Sequence, residues 1–162
     1  MKRLWTPWRM PFIKEFKTLK GCVFCELLAA KEDDKNFILH RSSTCFVVLN
    51  KYPYNTGHLM VIPNLHTADF KDLDSQTLLD LHIQIQKSIG AIQMVMNPQG
   101  FNLGMNLGEA GGAGIRHHMH YHIVPRWNGD TNFMPITAET RVLPETLDQT
   151  YQKLKPEFES IE

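Results

Sequence analysis

The stretch Arg116-His117-His118-Met119-His120-Tyr121-His122-Ile123-Val124-Pro125-Arg126 decides how the rest of the chain is read. Four of the eight histidines fall within six residues. His118, His120 and His122 alternate with Met119, Tyr121 and Ile123. In an extended strand the side chains at i, i+2 and i+4 share one face, so this spacing predicts a row of three imidazoles backed by an apolar face. Immediately upstream, Gly108-Glu109-Ala110-Gly111-Gly112-Ala113-Gly114 is a loop of small residues. A glycine-rich turn leading into imidazoles suits anion chemistry, because its backbone N–H groups can face an oxyanion. An imidazole is also a nucleophile that ionises near neutrality. Three histidines in alternation fit attack on phosphorus, and equally fit a metal site, imidazole being the commonest metal ligand.

Outward from this stretch, the N-terminal side reads as a compact set of elements. Residues 22–31 suit a short helix. Phe37 to His40 and Thr44 to Asn50, joined by Arg41-Ser42-Ser43, read as a β-hairpin. Lys51 to Gly57 is a loop, and His58 to Pro63 is an apolar strand closed by proline. Leu78, Leu81, His82, Ile85, Ile89, Ile92 and Met96 recur at spacings of three and four, which predicts a long helix with a buried stripe. Ser75 is its expected N-cap and Asn97-Pro98-Gln99-Gly100 its stop. His82 is expected in the core or at an interface, and Cys45 in the core.

On the C-terminal side of that helix, Phe101 to Leu107 is a strand carrying Phe101, Leu103, Met105 and Leu107 on one face. After the histidine stretch, Pro144 to about Phe158 suits a C-terminal helix. Residues 1–20, with Trp5, Trp8, Phe12, Ile13 and Phe16, read as an N-terminal arm packed on the body. Short connections favour an α+β fold, an antiparallel sheet of about five strands with helices on one side. The expected organisation is one domain over 1–162, with residues 140–162 as a helical tail.

A chain of 162 residues with 43% hydrophobic and 21% charged residues is long enough for a single buried core. Its formal net charge is zero, so nothing in the charge balance draws it to nucleic acid or to an anionic membrane. There is no apolar run of membrane-spanning length and no secretory signal, and a cytoplasmic protein is expected. Three cysteines do not make a disulfide scaffold; Cys22-Val23-Phe24-Cys25 is either half a metal site or a redox pair.

His118-Met119-His120-Tyr121-His122-Ile123-Val124 resembles the His-x-His-x-His-x-x signature of the histidine triad family. Pro53 to Pro63 resembles that family's loop-Gly-His-strand segment. Asn50 lies eight residues before His58, where the fragile-histidine-triad branch carries an asparagine. Arg3 to Met10, Gly100 to Gly108 and Val124 to Pro135 look like a bacterial branch that includes diadenosine tetraphosphate phosphorylases. The resemblance covers nearly the whole chain and implies the HIT-like fold. It also implies that His120 is the nucleophile attacking an α-phosphorus. His122 would orient the triad and contact phosphate, His118 would support His120 or serve a metal, and His58 would sit beside the triad. Asn50 would bind ribose, Asn106 would face the phosphates, and Gly111, Gly112 and Gly114 would line the phosphate loop.

The resemblance further implies a structural zinc held by Cys22, Cys25, His66 and His118, and no organic cofactor. Four protein ligands would leave no open coordination position. It implies a homodimer across the long helix and a sheet edge, to which exposed Leu79, Ile83 and Met94 would contribute. The chain departs from the family in one place. Where many members carry Gln-Ser or Gln-Thr before the triad, this one has Ala113-Gly114-Ile115, so backbone N–H groups or His117 must serve the leaving group. The expected activity is a hydrolase or transferase that cleaves dinucleoside polyphosphates through a nucleotidyl-histidine, with water or phosphate as acceptor. A nucleoside phosphoramidase and a nucleotide-binding regulatory module are the alternatives.

Overall fold

In the computed structural model the described residues are 21–130 and 144–160. Residues 1–20, 131–143 and 161–162, together with the expectations placed on them, lie outside these. The elements run in the order α1 (Val23–Ala30), α2 (Asp33–Asn36), β1 (Ile38–Arg41), β2 (Cys45–Leu49), β3 (Leu59–Pro63), a 3-10 turn (Phe70–Asp72), α3 (Ser75–Met96), β4 (Gly100–Met105), β5 (Tyr121–Arg126) and α4 (Leu147–Ser160). Among the described residues the five strands form one antiparallel sheet in the order β1-β2-β3-β5-β4. This is the expected α+β architecture, with a long helix and a C-terminal helix.

The sheet is covered on both faces, which differs from the one-sided arrangement expected. On one face Cys45, Val47, Leu49, Leu59, Val61 and Ile123 pack with Leu81, Ile85 and Ile92 of α3 and Tyr151, Leu154 and Phe158 of α4. On the other, Ile38, Phe46, Val48, Met60 and Ile62 pack with Phe24 of α1. This explains why β2 and β3 read as continuous apolar runs without polar alternation: every residue of both is buried. Cys45 is fully buried, and burial pushes its thiol up to about 11, as suits a core residue.

Arg41 fastens α1 to the sheet. Its guanidinium donates to the carbonyls of Leu27 and Leu28 at the end of α1 and to both carboxylate oxygens of Asp33. The helix C-terminal carbonyls, which lack partners of their own, are thereby satisfied by a cation.

Several local expectations shift. Asp74, rather than Ser75, caps α3: its carboxylate accepts the Thr77 N–H at 2.7 Å, and Ser75 is the first helical residue. Both residue types can cap, and the backbone conformation of Asp74 (φ −74°, ψ 168°) is the extended one a cap needs. His82 is exposed rather than in the buried stripe, its ring Nδ1 lying 2.8 Å from the Leu78 carbonyl. β4 ends at Met105; Leu103 and Leu107 are exposed while Phe101 and Met105 pack on the core. β5 begins only at Tyr121, so His118 and His120 lie on an irregular lead-in and His122 alone of the three is in the strand. The β3–β5 pairing stops at Val61↔Tyr121, and Pro63, which has no N–H to offer, ends β3.

α3 is locked to the β1–β2 turn by one buried carboxylate. Asp80 Oδ2 accepts from the Thr44 hydroxyl (2.6 Å), the Ser42 hydroxyl (2.7 Å) and the Thr44 N–H (3.0 Å), and Oδ1 accepts from Gln84 Nε2 (2.9 Å). Burial opposes its ionisation, but these hydrogen bonds outweigh burial and bring it from 3.8 down to about 2. Its folded value lies below its unfolded one, so it stabilises the fold above pH ~4 and loses that contribution as pH falls toward ~2. The predicted contribution is about 2 kcal/mol at neutral pH. Urea melts of wild type and Asp80→Ala at pH 7 and pH 3 check this. The variant is expected to be less stable by about 2–4 kcal/mol at pH 7, with the gap narrowing at pH 3.

Candidate functional site

The site forms where β3, β5 and the lead-in to β5 meet α1. Register pairs Met60 with His122 and Leu59 with Ile123, which brings His58, just before β3, against His122 across the strand pair. His58 and His118 are fully buried and His120 is 5% exposed. Alternation holds along the lead-in: Met119 is buried in the core on the α3 side while its two histidine neighbours face α1. Phe24 of α1 packs edge-on against His118 (ring centroids 5.4 Å) and at a tilt against His120 (5.1 Å).

The hydrogen bonds assign the imidazole tautomers. The Tyr54 N–H, which can only donate, reaches His58 Nδ1 at 3.0 Å. His58 Nε2 therefore carries the ring proton and donates to His122 Nδ1 at 3.0 Å. As a neutral imidazole, His122 then carries its own proton on Nε2. His120 Nδ1 donates to the main-chain carbonyl of His118 at 3.0 Å, which leaves Nε2 of His120 as the lone-pair nitrogen. The His120 and His122 rings are nearly perpendicular, with centroids 4.9 Å apart. A nucleophilic nitrogen thus lies beside an N–H donor, the pairing that attack on a phosphate ester uses.

His118 belongs to a second cluster. Its Nε2 donates to the Pro63 carbonyl at 2.8 Å, which turns the Nδ1 lone pair toward Cys22 Sγ (3.3 Å) and Cys25 Sγ (3.6 Å). His66 Nδ1 is 3.3 Å from Cys25 Sγ. The ligand atoms of Cys22, Cys25, His66 and His118 all lie within 4.8 Å of one another. Two sulfurs and two imidazole nitrogens at this spacing fit a tetrahedral zinc. The protonated far nitrogen of His118, held by a carbonyl, is the outer-shell contact that metal-bound histidines usually make. Burial, with His66 and His120 close by and the Pro63 hydrogen bond opposing, holds His118 below its ordinary value. Burial and the neighbouring Cys22 raise the Cys25 thiol, a penalty that a bound cation reverses.

The glycine loop is closed on itself. The Gly112 N–H donates to the Glu109 carbonyl and the Ala113 N–H to the Gly108 carbonyl, so those two donors are used within the loop. Gly111 is required by space, since a Cβ there would stand 2.3 Å from the Leu107 carbonyl oxygen. Arg116 and Glu109 bracket the loop with a bidentate, exposed ion pair. His117 is exposed. Asn50 lies beside His58, its Nδ2 3.4 Å from His58 Nδ1, and its Oδ1 accepts the Tyr52 N–H.

A cleft of ≈ 300 Å³ opens on the other side of His122, lined in part by Tyr54, Asn102, Gly104, Asn106 and Arg126. Tyr54, which stacks on His58 with centroids 4.8 Å apart, was not singled out from the sequence, nor were Phe24, Asn102 and Arg126. Asn102 and Asn106 had a legible signal: with Gly104 they alternate along β4 and the residue after it. Tyr54 and Phe24 had none beyond their nearness to His58 and to the Cys22–Cys25 pair.

These features agree with the comparisons to known proteins. Residues 30–129 match the model of the HIT domain. The chain is 36% identical to a Mycobacterium tuberculosis protein named AP-4-A phosphorylase, over 98% of this chain and 85% of that one. Its fold is similar to a zinc-bound histidine triad family protein from Mycobacterium smegmatis (TM-score 0.70, 25% identity, 87% of this chain and 95% of that one). It is equally close in fold to a hypothetical histidine triad nucleotide-binding protein from Sulfolobus tokodaii (TM-score 0.70, 24% identity, 86% of this chain and 93% of that one). With the family matched across most of the sheet and a relative of this identity along nearly its full length, the chain belongs to the HIT family, as a nucleotide-handling enzyme.

Proposed function

We propose that this protein cleaves dinucleoside polyphosphates at an α-phosphorus through a nucleotidyl-His120 intermediate, with phosphate as the favoured acceptor and water as the competing one. The observation that carries the reading is the His120 Nδ1–H bond to the His118 carbonyl, which presents the Nε2 lone pair. In the first step that lone pair forms a P–N bond. The bond from the α-phosphorus to the bridging oxygen breaks, and the leaving nucleotide departs with its electron pair. In the second, an oxygen of phosphate attacks the same phosphorus, the P–N bond breaks, and the pair returns to His120. From diadenosine tetraphosphate the products are ATP and ADP; with water they are ATP and AMP. His122 holds the phosphate oxygens through Nε2–H, and His58 fixes the tautomer of His122. Asn50 is read as the ribose contact, Asn106 as a phosphate contact, and Gly111, Gly112 and Gly114 as shaping the phosphate loop. The relative named AP-4-A phosphorylase supports this substrate class and acceptor.

Cys22, Cys25, His66 and His118 are read as the ligands of a structural zinc, supported by their geometry and by the zinc-bound relative in fold. With four protein ligands it would brace α1 against the lead-in to β5 rather than activate substrate. No organic cofactor enters the reading. Residues 1–162 are read as one domain with an N-terminal arm and a C-terminal helical tail. None of the described helices is long and apolar enough to cross a membrane. The reading keeps a cytoplasmic protein without nucleic-acid or membrane partners, on the even charge balance of the chain.

A homodimer is also part of the reading. Leu79 (57% exposed), Ile83 (39%) and Met94 (77%) form an exposed stripe on α3. Gly90 falls on the same stripe and leaves room for close approach. β4, with exposed Leu103, is the sheet edge next to it.

Three outcomes test these readings. Wild type incubated with diadenosine tetraphosphate is expected to give ADP when phosphate is present and AMP when it is absent. His120→Ala is expected to lose about 10³-fold or more of that rate, with no acid-labile nucleotidyl adduct; undiminished turnover in the variant refutes the mechanism. Metal analysis is expected to find one zinc per wild-type chain and almost none in Cys22→Ser/Cys25→Ser. The variant's melting temperature should fall by about 5 °C or more, and a metal-free wild type unchanged by added zinc would remove the site. Light scattering is expected to give twice the chain mass, and Ile83→Glu to shift it toward the monomer.

A further inference from the structure

The cleft beside His122 is built in a way that the triad chemistry alone does not require. On β4 and just beyond it the residues facing it include Asn102, Gly104 and Asn106; on β5 they are His122, Val124 and Arg126. Gly104 is paired directly across from His122, and a Cβ on it would meet no atom within 4 Å. The glycine is therefore an open floor beside His122.

The polar groups around that floor are oriented as donors. Arg126 is held in a fork: Nε and Nη2 donate to the two oxygens of Asp130 at 2.6 and 2.8 Å, and Nη1 donates to Asn102 Oδ1 at 2.7 Å. A guanidinium cannot accept, so the oxygen of Asn102 must face it, and the two N–H groups of Asn102 turn away from it. The Asp130 side chain is 9% exposed and that of Arg126 41%, so the carboxylate is hidden behind the cation it positions. Among the described residues the polar lining is Arg126, His122, Tyr54 and the amides of Asn55, Asn102 and Asn106, beside apolar Leu103, Met105 and Val124, with no carboxylate among them. A pre-oriented guanidinium with neighbouring amide donors matches phosphate oxygens.

We infer that this cleft, through Asn102 and Arg126 over the Gly104 floor, is the subsite for the phosphate that leaves the α-phosphorus and for the phosphate that replaces it. The inference rests on His120 as the nucleophile. Each in-line displacement places the departing or arriving oxygen opposite the His120 nitrogen. The acceptor must therefore enter where the leaving group has been, and one subsite serves both. In the second step an oxygen of the bound phosphate forms the new P–O bond and the P–N bond to His120 breaks. Where the subsite fails to hold phosphate, water takes its place and the product changes from nucleoside diphosphate to monophosphate.

The test uses Asn102→Leu, an exposed position where the amide is replaced by a similar volume, and Gly104→Val, which fills the floor. In Asn102→Leu the phosphate concentration for half-maximal ADP formation from diadenosine tetraphosphate is expected to rise about tenfold, with AMP growing at the expense of ADP and an unchanged melting temperature. Gly104→Val is expected to lower ADP formation further. The p-nitrophenyl ester of AMP, whose leaving group carries no phosphate, separates the two sources. A phosphate defect that persists with the ester, together with slower formation of the His120 adduct from the tetraphosphate but not from the ester, supports the inference; a defect in only one of the two steps overturns the shared subsite. Unchanged product partition and phosphate dependence in both variants overturn it. Titration of wild type with inorganic phosphate, followed by the side-chain amide resonances of Asn102, needs no turnover. Absence of any perturbation there overturns the subsite even if His120 proves to be the nucleophile, and a perturbation in an enzyme without an adduct keeps the subsite while removing the His120 mechanism.

Discussion

The site depends on His118 more than on any other residue, because its three polar groups face three different parts of the fold. Nε2 is bonded to the end of β3 through the Pro63 carbonyl, and Nδ1 points into the cysteine pair that opens α1. Its main-chain carbonyl accepts from the ring of His120. A fully buried imidazole with this many obligations has one orientation, and that orientation is passed to its neighbours. The metal-ligand cluster and the histidine row are thus continuous, sharing one residue and coupled through one backbone hydrogen bond.

A second constraint is protonic. Tyr54, His58 and His122 form a chain in which a backbone N–H, which can only donate, dictates where each ring proton sits. Charged imidazoles packed this closely would repel one another, and burial penalises them further. Neutral rings in these tautomers place a nucleophilic nitrogen and a donor side by side without a net charge to desolvate. The strong ion pair nearby, Arg126 with Asp130, lies at the rim of the cleft, where solvent reaches the cation.

Much of the fold was legible because its elements carry local signals. The stripe of α3 and the stop at Asn97 have their counterparts in the observed helix and its left-handed C-cap. The hairpin of β1 and β2 is where the apolar runs placed it. The one-sided sheet was not right, because nothing in a ten-residue apolar helix such as 22–31 says which face of the sheet it will cover. The cap of α3 moved by one residue because Asp74 and Ser75 are both capable and only backbone conformation chooses between them. His82 fell on the apolar stripe by spacing, yet a helix buries only the arc its neighbours cover.

The sequence by itself determined the chemistry that is possible. It supplies three alternating imidazoles, a Cys-x-x-Cys pair, a further His after the β3 strand, and glycines where the chain must turn tightly. These follow from residue type and from periods of two and 3.6, which are local properties of the chain. Only the tertiary structure decided which ring nitrogen carries a proton, and that the His118 carbonyl takes up the His120 Nδ1–H while its ring meets the cysteines. It also decided that a glycine on the neighbouring strand leaves a cleft beside His122. Those outcomes depend on contacts between residues far apart in the chain, such as Cys22 with His118 and Asn102 with Arg126. Their energies exist only once the sheet register and the packing of α1 have brought the partners together.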